Sequence, residues 1–132
     1  MAPTNTSVRP RPEQIIESLT TIVTKSEGEL VFVTCVDEDG YVGDSEAYAS
    51  PDHPKNSLPM EQLFSWPQEQ GVDTVLVTSR AAEPLESFAD SDMAFTRALI
   101  DEAKARGIEV LDHVLVHDGE HKGLRAATDL WG

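Results

Sequence analysis

Four histidines, a single cysteine and a dense set of carboxylates are the groups in this 132-residue chain that could do chemistry. His117 and His121 flank the turn Asp118-Gly119-Glu120, and two imidazoles brought together across a hairpin beside two carboxylates would suit a transition metal. The plainer role for them is that of solvated turn residues. His113 lies four positions before His117, so on a strand the two rings stand about 13 Å apart and cannot share one ion. His53 sits in a Pro-flanked loop with no partner near it in sequence. Cys35 lies within Leu30-Val31-Phe32-Val33-Thr34-Cys35-Val36, with no second cysteine for a disulfide or a Cys-based zinc site. A buried, inert thiol is expected there. The chain has no Gly-rich phosphate loop, no G-x-S-x-G and no Cys-x-x-Cys.

Charge narrows the partners. A net charge of −14 argues against direct nucleic-acid binding, because phosphate contacts need Lys and Arg to displace counterions. Anionic membranes are disfavoured for the same reason. No apolar run approaches transmembrane length and the N-terminus has no signal-peptide core, so a cytoplasmic location is expected. The acidity serves solubility or salt adaptation, or else faces a basic partner.

The elements that must position these groups follow from periodicity. Residues 1–11 are polar, proline-containing and aperiodic, and read as a disordered tail before a single domain over 12–132. Ile15, Ile16, Leu19, Ile22 and Val23 recur at helical spacing, with Pro12 suited to the first turn and Gly28 to a stop. Glu29 to Val36 reads as a strand covered on both faces, Asp37-Glu38-Asp39-Gly40 as a turn, and Tyr41 to Ala49 as the returning strand of a hairpin. After a loop from Ser50 to Leu58, a short helix is expected over Pro59 to Gln70. The strand Thr74 to Thr78 then leads into a loop opening with Ser79-Arg80-Ala81. A helix over Ser91 to Arg106 has Ser91 as its N-cap and Gly107 as its stop. Strands Ile108 to His117 and Lys122 to Ala126 finish an α+β (mixed α/β) fold, in which helices flank a mixed sheet.

The stretch from Asp73 to Gly119 resembles the JAB/MPN (JAMM) metalloprotease-like domain, in particular its RadC-like branch. In that branch a strand leads into His-x-His-Pro, ten residues separate the second His from an Asp, and a helix ends before a segment like Leu-Leu-Asp-His-Val. Here ten residues separate Ala81 from Asp92, and Leu111-Asp112-His113-Val114 follows the helix. The likeness is close over 74–124 and thinner over 29–64. It implies a curved mixed sheet flanked by helices, with the site at the mouth of the His-x-His loop.

In the family, two His and an Asp hold zinc, and a Glu from an earlier strand takes a proton from the metal-bound water. The resemblance puts Ser79 and Ala81 at the His positions, Asp92 at the Asp position and Glu46 near the general base. Ala81 has no donor atom and Ser79 offers only a hydroxyl, so the metal chemistry is expected to be lost and no cofactor is expected. The family's Pro after the second His is Ala82 here, and the Ser three before its Asp is Ala89. Asp92 is then expected to serve only its helix, where an acid in the first turn is favoured. RadC-like proteins usually carry an N-terminal helix-hairpin-helix region, for which this sequence has room for one helix only.

The expectation is therefore a catalytically inactive RadC-like domain that works as a protein-interaction or regulatory module. A protein partner is expected, with self-association open, and Trp66 and Trp131 are the candidate contact residues together with the acidic turn Asp37, Glu38 and Asp39. Two alternatives stand beside it: an acidic decoy or inhibitor of a nucleic-acid-handling complex, and a metal-dependent hydrolase with a rebuilt site. Residues 37–52 hold six acids and no base, and residues 83–92 hold four more. The decoy gains if those two segments are adjacent in space.

Overall fold

In a computed structural model, residues 11–26, 29–50 and 59–131 are described. The expected tail, the Gly28 stop, the Ser50–Leu58 loop beyond its first residue, and His53 lie outside them. Helix α1 (Pro12–Lys25) is followed by strands β1 (Glu29–Val36) and β2 (Val42–Ser50), helix α2 (Met60–Glu69), strand β3 (Thr74–Arg80), helix α3 (Asp90–Ala105), strands β4 (Glu109–His117) and β5 (Glu120–Gly123), and the short helix α4 (Leu124–Ala127). The five strands form one mixed sheet in the order β2-β1-β3-β4-β5, so the fold is α+β as its patterning implies. Only the β3–β4 pair is parallel, and α3 is the crossover between them.

The two central strands are the most apolar because both of their faces are covered. Val31 and Val33 of β1 and Val75 and Val77 of β3 pack against Leu63 and Phe64 of α2 and against Phe95, Leu99 and Ala103 of α3. Leu76, one step along β3, points the other way and joins Val36, Val114, Ile15 and Ile16 in a smaller core under α1. Fully burying a Phe- or Leu-sized side chain contributes about 1.5–3 kcal/mol, so the larger core dominates. The Arg80 guanidinium reaches across to α1 and donates to the carbonyls of Val23 and Ser26. It thus satisfies acceptors at the end of the helix that carries partial negative charge.

Hairpin β1–β2 turns on Asp37, whose Oδ1 accepts from the amides of Asp39 (3.0 Å) and Tyr41 (2.9 Å), with Gly40 at φ 87°. Helix α3 stops at Gly107, φ 71°, where the Ile108 amide turns back to the Ala103 carbonyl at 2.8 Å.

Three local expectations need correction. Strand β3 runs on to Arg80, so Ser79 is a strand residue, not the start of a loop. Val31 of β1 and Leu115 of β4 flank it on either side, and this pairing prolongs the strand. Helix α3 begins at Asp90 behind Ala89, which caps it with no side-chain bond, so Ser91 lies inside the helix. The last strand ends at Gly123 and does not reach Ala126. There the Asp112 carboxylate accepts the Arg125 amide at 2.9 Å and starts α4 in place of further pairing.

Among the described residues, no helix is long and apolar enough to cross a membrane.

Candidate functional site

The C-terminal end of β3 brings Ser79 and Ala81 to the first turn of α3, where Asp92 sits. Parallel pairing sets His113 of β4 beside Val77, so its ring lies one diagonal step from Ser79 on the face covered by α3. Ser79, Asp92, Thr96 and His113 are all 0% exposed, and this decides what they can do.

They form a chain of hydrogen bonds. Ser79 Oγ lies 2.7 Å from His113 Nε2, and Thr96 Oγ1 lies 2.6 Å from His113 Nδ1. The Thr96 hydroxyl has one proton and donates it to the Asp92 carbonyl one turn earlier, at 2.8 Å. Thr96 must therefore accept from Nδ1–H. The Ser79 hydroxyl is the partner of the other ring nitrogen, Nε2. The Phe95 ring packs on the imidazole with centroids 5.7 Å apart.

The Asp92 side chain turns to the loop: its Oδ2 accepts the Ala82 amide at 2.8 Å. The expected role of this carboxylate was confined to its own helix; the structure gives it the loop between β3 and α3 to hold as well. Ala81 is buried, and its methyl packs with Leu115 and Leu124.

At the three positions where the resemblance puts metal ligands, the chain therefore has a hydroxyl bonded to an imidazole, a methyl in an apolar cluster, and a carboxylate bonded to a backbone amide. This set does not fit zinc, which takes at least three nitrogen, sulfur or oxygen ligands from protein in an open site. No group of three or more His, Cys, Asp or Glu among the described residues could hold a metal. Glu46, at the general-base position, stands opposite Val33 on β2, exposed, on the same sheet face but two strands from β3. Strand spacing alone puts it about 10 Å away from β3.

A Ser–His contact of this length also suits a nucleophile and its base. Here neither residue meets solvent, and the group beyond the imidazole is a hydroxyl already spent on a carbonyl. The arrangement is a sealed polar brace between β3, β4 and α3.

His117 and His121 do not come together. The register sets His117 opposite Glu120 and His121 opposite Val116, so the two imidazoles leave adjacent rungs on opposite faces of the ladder. Trp66 is half-buried on α2. Trp131, the other candidate contact residue, packs against both the main core and the Ala81 cluster, and its Nε1–H donates to the Val110 carbonyl at 2.8 Å. Burial, and then the nearby Asp44 carboxylate, raise the pKa of the Cys35 thiol, as suits an inert one. Asp37 is spent on its own turn, while Glu38 and Asp39 remain exposed.

That turn and the acidic segment 83–92 lie at opposite ends of the sheet, because β1 runs antiparallel to β3 and ends beside its start. The length of β3 separates them by about 20 Å. The turn Asp37–Asp39 therefore shares no patch with residues 83–92, whereas β2 runs back alongside β1 and carries Glu46 level with Val77.

Sequence reasoning passed over Thr96 and took His113 only as part of the Leu111–Val114 match, too far from His117 to share an ion. The signal for Thr96 was its spacing: four residues after Asp92, it shares one face of α3.

No family model matches the chain. Over 70 residues, 53% of its length, it is 29% identical to a UPF0758 protein of Trichodesmium erythraeum (strain IMS101). The matched segment spans 29% of that protein's own length. This likeness, on a mixed α+β fold, supports a RadC-like relationship for the chain.

Proposed function

We propose that this is a catalytically inactive RadC-like JAB/MPN domain that acts by binding another protein. The observation that carries the proposal is the brace Ser79–His113–Thr96. The place where a hydrolase of this kind would keep an open metal position is occupied by solvent-free side chains, of which Ser79, His113 and Thr96 hydrogen-bond one another. A hydroxyl and a methyl do not activate water, and the one carboxylate is engaged by a backbone amide. What remains for the domain is its surface, whose acids favour a basic partner. Half-buried Trp66 is the better anchor candidate of the two tryptophans, since Trp131 is bonded into its own domain.

The test has two arms. The purified protein, assayed with added zinc, manganese or cobalt on peptide and isopeptide substrates, should give no hydrolysis above the metal-only blank. A partner captured from cell extract should bind again as a purified protein, and Trp66→Ala should weaken that complex while leaving the thermal midpoint of the domain near its parent value. Metal-dependent turnover that disappears with Asp92→Asn would instead establish the rebuilt hydrolase.

The decoy reading, an acidic mimic directed at a nucleic-acid-handling complex, has the net charge of −14 in its favour. The separation of the turn Asp37–Asp39 from residues 83–92 weighs against it.

A further inference from the structure

A cleft lies at the other end of the sheet from Ser79, where β3 and β4 begin. It has a volume of about 480 Å³. Ile100, Ile108, Val110 and Trp131 supply its apolar lining. The Trp131 indole is held in place by the bond from its Nε1–H to the Val110 carbonyl, which makes it a fixed wall and not a swinging one.

Four charged residues also line the cleft: Asp73, Lys104, Glu109 and Arg125. Two of them satisfy each other. Arg125 Nη1 lies 3.2 Å from Glu109 Oε2 and also donates to the Leu111 carbonyl at 3.1 Å. The other two, Lys104 and Asp73, are exposed, and neither has an ion-pair partner among the described residues. The cleft thus offers one cation and one anion without ion-pair partners among the described residues, the Asp73 carboxylate accepting only a long bond of 3.4 Å from the Thr74 hydroxyl, and an apolar wall.

A ligand that answers all three carries one negative charge, one positive charge and an apolar body. Net neutrality matters here. The field of a chain with net charge −14 repels a simple anion and gathers small cations without selecting among them, whereas a zwitterion is neither repelled nor swamped. We infer that this cleft binds a free hydrophobic α-amino acid, with its carboxylate toward Lys104, its ammonium toward Asp73, and its side chain against Trp131, Ile100 and Ile108. The volume falls within the range of small-molecule sites. The inference uses none of the residues at the Ser79 end and is independent of the function proposed above.

The experiment titrates the isotope-labelled protein with L-phenylalanine and follows the Trp131 indole N–H resonance by NMR, with Trp66→Phe assigning the two indole signals. N-acetyl-L-phenylalanine and L-phenylalaninamide keep the same body and remove one charge each. The free amino acid should shift the Trp131 signal saturably. Each blocked analogue should bind about fivefold more weakly or worse. Lys104→Gln should remove the preference over the amide, and Asp73→Asn the preference over the acetylated compound. Both side chains are exposed, so the variants should keep the parent spectrum elsewhere. The inference is overturned by no saturable shift up to about 10 mM, by equal binding of the three compounds, or by binding that neither substitution alters.

Discussion

Ser79 Oγ lies 2.7 Å from His113 Nε2, and neither residue reaches solvent. This contact joins two parallel strands by side chains on the face that α3 covers, and Thr96 extends it onto the helix at 2.6 Å. Removing one partner leaves the other polar atom buried, which costs about 1–3 kcal/mol. Ser79→Ala should lower stability by that amount in urea unfolding. His113→Ala removes one hydrogen bond from each of two hydroxyls and opens a cavity beside Phe95, so its loss should be larger, about 3 kcal/mol or more. If both variants unfold at the parent midpoint, the brace has no structural weight.

A second contact explains a glycine. A Cβ placed on Gly123 would fall inside contact distance of Asp112 Oδ2, the carboxylate that also accepts the amides of His113 and Arg125. Gly123→Ala should destabilise the fold by about 1–3 kcal/mol, and combining it with Asp112→Ala should cost less than the sum of the two changes. Additive losses would show that the two positions do not meet.

Asp112 also sets a pH dependence. Burial raises its pKa above the ordinary carboxylate value of 3.8, and amide hydrogen bonds from Arg125 and His113 only partly offset this. The folded state then holds the Asp112 proton more tightly than the unfolded chain. The charged form is a penalty to folding above the raised pKa, and the penalty is relieved as pH falls through it toward the unfolded value. Between neutral pH and about pH 4, the parent should therefore gain stability relative to Asp112→Asn, whose side chain does not titrate. A parent that loses ground to the variant over that range would reverse the sign.

Screening should help this protein. Self-repulsion among its excess of carboxylates opposes the compact state, and salt weakens it within a Debye length of about 10 Å at 0.1 M. Added potassium chloride should raise the thermal midpoint or leave it unchanged, and the protein should not bind DNA in moderate salt. A midpoint that falls steadily with salt would mean that specific ion pairs outweigh the net charge.

The architecture was legible because the signals behind it are strong. β1 begins and ends at the residues its apolar run marks, and α1 and α2 follow their apolar periodicity. Gly107 ends α3 by the positive φ that glycine tolerates. What escaped were decisions made by distant partners. Ser79 became a strand residue because Val31 and Leu115 flank it, and α4 began at Leu124 because Asp112 sits across from it. Trp131 found a core role because the backbone acceptor of Val110 lay in reach. At the site, the spacing that relates Ala81 to Asp92 was readable from the sequence. The closing of that site by His113 and Thr96 needed the β3–β4 register, which no local pattern encodes.

The most direct test of the central claim is the zinc content of the purified protein. The chain should be produced in zinc-supplemented medium, dialysed without chelator and measured by elemental analysis. With Ser79 bonded to His113 and Ala81 packed against Leu115, the result should be well below one zinc per chain. Added zinc should also leave the thermal midpoint unmoved, because a ligand stabilises only the fold it binds. One zinc per chain that survives dialysis, and whose loss with Asp92→Ala lowers the midpoint, would contradict the account and restore this end of the sheet as a working metal site.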